Sequence, residues 1–266
     1  MTTFKLQILT LVKRIALLCL AFSISRLLFY LFNTVHFQNL EAEEIFSVFF
    51  YGLRFDIFSI MVCNSLFILL SIIPSNFTFN NRYQKILKRL FILSNSIFLS
   101  FNFIDMAYFR FIGKRSTFDL FNQLGGQTDV IKQLPYYLRD FWLIIVLFII
   151  TIYFLIKFYP ILKNVKPEYI YSKKNIIIYS LSIIIICSLT VLSLRGGIQR
   201  VPIDFADAGN YAKPQHVSLV LNSSFTLIKS YSRQVLEEYS FFSLKTALNS
   251  IEPVKHYKNK IFKNQN

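Results

Sequence analysis

Apolar residues along this chain come in long blocks rather than alternating or recurring on one face. Five blocks stand out, at about Ile15 to Phe32, Val48 to Ile73, Leu87 to Phe109, Phe141 to Tyr159 and Ile176 to Leu194. Crossing a bilayer core of roughly 30 Å takes about 20 mostly apolar residues as a helix. The blocks therefore predict an all-α, polytopic membrane protein with about five transmembrane helices. Strand-like alternation is missing, so a β-barrel is not expected. The first block is long, lacks a small-x-small cleavage site and runs on into "SRLLFYLFN", which argues against a removable signal peptide.

Polar positions between the blocks set an orientation. Lys5, Lys13 and Arg14, then Arg82, Lys85, Lys88 and Arg89, then Lys163, Lys166, Lys173 and Lys174 fall on one side. Glu41, Glu43 and Glu44 and a loop of mixed charge fall on the other. Basic loops stay in the cytoplasm. This predicts the N-terminus inside, and the stretch 110–140 and everything after Leu194 outside.

Beyond the fifth block, Gly196 and Gly197 are expected to end the helix. Pro214 is placed to open another. From there Val217, Val220, Leu221, Phe225, Ile228, Tyr231 and Val235 recur at helical spacing. Such an amphipathic helix either lies in the membrane interface or packs on the outer loop. The domain layout is then 1–194 membrane-spanning, 195–242 external and helical, and 243–266 a basic linker.

Composition sharpens this picture without redirecting it. Of 266 residues, 54% are hydrophobic and 17% aromatic. The formal net charge of +15 fits cytoplasmic loops and anionic lipid better than nucleic acid. Cys19, Cys63 and Cys187 each lie inside an apolar block, which suits small buried side chains rather than disulfides. His36, His216 and His256 show no metal-ligand spacing.

Ionisable residues inside spans are costly and are candidates for function. Arg26, Arg54, Asp56 and Asp105 all lie toward the outer ends of their spans. Asn95, Asn102 and Asp105 share roughly one face of the third span, and Asp56, Ser59 and Cys63 share one on the second. Arg54 and Asp105 sit at similar depth, so a pair between them is expected. The set would serve either as a pocket for a lipid headgroup or as interhelical glue.

The segment "YFRFIGKRSTFDLFNQLGGQTDV" (108–130) is long for a loop. Its Phe109, Phe111, Phe118 and Phe121 suit the interface, and Arg110, Lys114 and Arg115 suit a phosphate layer. Ser116 is placed to cap a short helix, with Asp119 three residues on, and Gly125-Gly126 to turn the chain back. This predicts an outer collar that holds a lipid phosphate and seats an external domain. The plainer role for the same cations is to balance Asp119, Asp129 and anionic lipid. The candidate binding or docking residues are thus Arg54, Asp56, Asp105, Arg110, Lys114 and Arg115. No catalytic or metal-binding motif is present.

"YGLRFDIFSI", "DMAYFRFIGKRSTFDLFNQLGGQTDV", "LPYYLRDFW", "LRGGIQRVPID" and "LVLNSSFTLIKSYSR", on a five-span layout, resemble the N-terminal membrane half of the lipoteichoic acid synthase family. These are sulfatase-like enzymes of the alkaline phosphatase superfamily. The resemblance implies an external domain in which a threonine nucleophile and a divalent metal, typically manganese, transfer a phosphoglycerol-type group from a lipid. The chain stops at "YKNKIFKNQN", in the basic linker, so no catalytic or metal residue of the family falls on any position here. It is therefore expected to be catalytically incompetent alone and to need no cofactor itself. Expected partners are membrane lipids and a separate catalytic chain. The alternatives are a non-enzymatic transporter or assembly subunit, and the membrane half of a phosphoethanolamine transferase.

Overall fold

A computed structural model describes residues 3–38, 40–121, 136, 139–162 and 173–231. They all lie in one compact unit, Met1–Ser232. Val235, the linker 243–266, Gly125-Gly126, Asp129, Lys163 and Lys166 lie outside the described residues. All regular structure among the described residues is helical. The long helices are α1 (Thr3–Phe32), α2 (Ala42–Cys63), α4 (Asn81–Ile112), α5 (Trp142–Lys157) and α6 (Lys173–Arg195), with α3 (Ser65–Ser71) continuing α2. After α6 come three short pieces, α7 (Phe205–Ala208), α8 (Val217–Val220) and α9 (Ser223–Tyr231).

Four of these helices, α1, α2, α4 and α6, are long and apolar enough to cross a membrane. The fifth, α5, has 16 residues, about 24 Å at 1.5 Å per residue, which is short of a ~30 Å core. The long helices alternate in direction, so one end of the bundle carries Phe32, Ala42, Ile112, Trp142 and Arg195; this is called the upper end.

Local chemistry explains the element boundaries. Asn80 caps α4 by accepting from the Arg82 N–H at 2.9 Å. Gly113 ends it with φ +71°, a left-handed conformation that glycine adopts freely, and its N–H returns to the Phe109 carbonyl at 2.8 Å. The expected stop after α6 is found, with Gly196 at φ +80° and Gly197 at φ +132°.

The second apolar block is not one helix. It breaks at Asn64, whose side chain turns back to the Ile60 carbonyl at 2.9 Å and trades two hydrogen bonds with the Asn95 amide, at 3.0 and 2.8 Å. Both residues are buried. Such interhelical amide pairs are worth about 0.6–2 kcal/mol. Asn95→Leu is therefore expected to cost about 1 kcal/mol in detergent unfolding, and Asn64→Leu with Asn95→Leu less than the sum of the two.

The interior has an upper cluster around Phe29, Phe55, Phe103, Met106 and Phe225, and a lower one around Leu18, Ile60, Phe67, Phe91 and Leu155. Outside, α6 exposes Ile177, Leu181, Ile184, Ile185, Leu189 and Val191. An apolar band of this kind on a helix surface suits lipid as the solvent. Cys19, Cys63 and Cys187 are free thiols, each half-buried.

Candidate functional site

The continuous amphipathic helix expected after Pro214 does not form. Leu221 is extended, at φ −72° and ψ 157°, and separates α8 from α9. Both pieces pack among α1, α2 and α4, and every residue from Leu219 to Leu227 is buried. The segment is thus an insertion into the bundle, and its second piece, α9, also packs on the start of the loop after α4, as one of the two expected readings had it. The stripe of seven apolar positions conceals the break. Its cause is the polar run Asn222-Ser223-Ser224, which favours a cap over helix continuation.

A broken helix leaves carbonyls at one end and N–H groups at the other without partners, and non-helical backbone at membrane depth is tolerated only where protein satisfies it. Arg26 supplies the first end. Its Nη1 donates to the carbonyls of Leu219, Val220 and, at 3.3 Å, Leu221. Its Nη2 donates to the Gly52 carbonyl at 3.0 Å and to Asp56 Oδ1 at 2.5 Å. Asn222 supplies the second end: its Oδ1 accepts from the Phe225 N–H at 2.8 Å and from Ser59 Oγ at 2.9 Å. Its Nδ2 donates to the same Asp56 oxygen at 2.8 Å. Arg26 is 3% exposed and Asp56 1%, so the pair stands almost wholly apart from solvent. Arg26 lies six residues from the end of α1, about 9 Å below it.

A second buried carboxylate sits beside this one. Asp105 accepts from the Ser116 N–H at 3.1 Å, from Ser116 Oγ and from Ser223 Oγ at 2.5 Å. Arg115 Nη1 lies 3.8 Å from it. Arg115 also donates from Nε to the Ser218 carbonyl at 2.9 Å, and its guanidinium carbon stands 3.4 Å from the Phe29 ring centre. Asn102 accepts from the Ser223 N–H at 2.9 Å. The stretch following α4 lies across α9, since Thr226 Oγ1 donates to the Ser116 carbonyl at 2.6 Å and Ser230 Oγ accepts from the Phe118 N–H at 2.7 Å.

The expected pair between Arg54 and Asp105 is absent. Positions 54 and 56 lie about 200° apart around a helix, so Asp56 faces Arg26 while Arg54 faces the end of α6. Arg54 donates to the Gly196 carbonyl at 2.6 Å, the Tyr211 hydroxyl at 2.6 Å and Gln199 Oε1. Tyr211 in turn stacks on Tyr51 with ring centres 4.0 Å apart. Ser116 does not cap a helix, because its hydroxyl and N–H are turned to Asp105. Of the three collar cations, Arg115 is 5% exposed and belongs to the interior. Arg110 donates to the Phe32 carbonyl at 2.7 Å, where it serves the C-terminus of α1. Arg110 and Lys114 are both exposed, and Lys114 has no partner among the described residues. Phe109 is core, while Phe111 and Phe121 are exposed.

At the rim, buried His216 places Nδ1 2.7 Å from Glu44 Oε1, and the Lys213 N–H donates to the same oxygen at 3.1 Å. Glu41, then Glu44, hold the Lys213 ammonium above its ordinary range. A raised cation pKa contributes below the ordinary value near ~10.4 and is lost only as pH climbs through the raised one, so this tie persists at neutral pH. Being exposed, it contributes little.

Chemically the site is a clamp. Arg26 donates to Asp56 and, with Arg115, to backbone carbonyls, and Asp105 accepts from Ser116 and Ser223, while Arg26 Nε and Asp56 Oδ2 are buried without a partner among the described residues. Among the described residues, no three of His, Cys, Asp and Glu gather as a metal ion would need. No family model matches the chain, and no curated protein or solved structure matches it.

Proposed function

We propose that this chain is the membrane-anchoring unit of a lipoteichoic-acid-synthase-like, sulfatase-like transferase acting on a cell-envelope polymer or lipid. In this reading it spans the inner membrane five times. Its N-terminus is cytoplasmic, and the segment after α6 faces outward. Chemistry belongs to an alkaline-phosphatase-like domain, with a divalent metal such as manganese, that this chain seats beside the membrane lipids it draws on. The observation that supports it best is the double clamp on residues 217–231. A tether needs no such clamp, whereas a base for an external domain needs the chain leaving the last span to be held rigidly. Arg26 and Arg115 do this at adjacent backbone carbonyls, Leu219 to Leu221 for the first and Ser218 for the second.

The test is turnover of fluorescent phosphatidylglycerol in reconstituted vesicles with Mn2+. Residues 1–266 alone are expected to give none, because a transferase of this class needs a metal-activated nucleophile. Adding an alkaline-phosphatase-like domain encoded beside the chain is expected to give turnover that Arg26→Ala weakens. Turnover by residues 1–266 alone, or failure of such a domain to bind them, sinks the reading.

A further inference from the structure

A second polar centre lies at the lower end, far from the clamp. Arg14 is 12 residues before Arg26, about 18 Å along α1. It is 2% exposed, yet among the described residues it meets no carboxylate. Its Nε donates to the Pro160 carbonyl at 3.1 Å and its Nη2 to Gln84 Oε1 at 2.8 Å. Gln84 is fixed by donating to the Thr78 carbonyl at 2.6 Å. The Arg14 guanidinium carbon lies over the Tyr159 ring, 4.5 Å from its centre. Lys88 approaches the same ring, with Nζ at 5.6 Å, and donates to the Ile156 carbonyl at 3.1 Å.

The charge balance here is incomplete. The helix terminus provided by α5 is equivalent to roughly half a negative charge, and an aromatic face adds a modest attraction. Two full cations face them, with Lys13, Lys85, Arg89 and Lys157 exposed nearby in sequence. The Tyr159 hydroxyl is also buried with no hydrogen-bond partner among the described residues, an arrangement that costs about 1–3 kcal/mol if left so. A buried hydroxyl donor and an uncompensated pair of cations around one ring call for a single kind of group. It must be anionic, and it must present several acceptor oxygens.

We infer that Arg14, Lys88 and the Tyr159 hydroxyl form a binding site for a phosphate group at the lower end of the bundle. The phosphate of an anionic glycerophospholipid and free phosphate share this chemistry. One oxygen takes the Tyr159 O–H, and others take the free N–H groups of Arg14 and the Lys88 ammonium. Cations at this depth in a bundle meet lipid headgroups, and Arg14 lies about 27 Å below Phe32, near the opposite face of a ~30 Å core.

The test is a thermal-shift titration of delipidated protein with phosphatidylglycerol, phosphatidylcholine and inorganic phosphate. Arg14→Gln risks misfolding, so Lys88→Gln and Tyr159→Phe are used; the second removes only the orphan hydroxyl. Without ligand, Tyr159→Phe is expected to melt at or above the wild-type temperature. Phosphatidylglycerol is expected to raise the wild-type melting temperature, phosphatidylcholine to do so less, and each variant to weaken the apparent affinity by about tenfold, as loss of one charge-assisted hydrogen bond implies. A shift with phosphatidylglycerol that inorganic phosphate does not reproduce assigns the site to lipid; a shift with inorganic phosphate alone assigns it to a soluble phosphate. Equal shifts with both lipids and none with phosphate, or shifts that survive both substitutions, overturn the site.

Discussion

Gly52→Ala is expected to unseat the inserted segment and to cost about 3 kcal/mol or more. A Cβ at Gly52 would lie 2.6 Å from the Arg26 guanidinium carbon and 2.8 Å from its Nε and Nη1. Real side chains do not approach so closely, so the guanidinium must move. It is anchored at once to Asp56, to the Gly52 carbonyl and to the end of α8, and no small shift keeps all three. Leaving one member of a buried ion pair uncompensated costs about 3–5 kcal/mol. Gly113→Ala is the control. It has open space around it but φ +71°, so only backbone strain of about 1–2 kcal/mol is expected. The measurement is melting temperature in detergent together with protease cleavage within 217–231. A Gly52→Ala protein that melts with the wild type and resists protease equally would show that the clamp does not hold the segment.

The all-helical class, four helices long and apolar enough to cross a membrane and the stop at Gly196-Gly197 were legible because each rests on local chain properties: length of apolar run, or a backbone conformation only glycine takes easily. The buried face of α4 was legible too, since Asn95, Asn102 and Asp105 fall on one side at helical spacing. Partners were not. Depth along a span is readable from position, but rotation about the helix axis relative to neighbours is not, and Arg54 and Asp105 fail on rotation. The larger miss is the insertion. Residues 217–231 read as one amphipathic stripe, and a stripe specifies an apolar face without saying whether lipid, loop or bundle receives it. The Asn222-Ser223-Ser224 run was the available signal, since three cap-forming residues inside a helical pattern argue for a new start. Once the break is placed, Arg26, Asp56 and Asn222 acquire a common purpose, and Arg115 moves from the surface to the interior with it.

The pairing itself is open to a direct energetic test. In a double-mutant cycle, Arg26→Met and Asp56→Leu are each expected to be strongly destabilising, because each leaves a buried charge behind. The double variant removes both charges, so it should be less damaged than the sum by about 2–3 kcal/mol, within the range for residues in direct contact. It should still fall below the wild type. Methionine cannot donate to the Leu219, Val220 and Leu221 carbonyls that Arg26 now serves, and carbonyls left unpaired at membrane depth remain costly. Recovery is therefore expected to stop near the level that loss of Arg26's backbone bonds alone would set. The matched cycle is Arg54→Met with Asp105→Asn. Arg54 is committed to Gly196 and Tyr211, and Asp105 to Ser116 and Ser223. With no shared partner, their effects should add to within about 0.5 kcal/mol. Equilibrium unfolding in mixed micelles gives all six variants on one scale. Additivity at Arg26 and Asp56, or coupling at Arg54 and Asp105, would reverse the assignment of which arginine answers which carboxylate.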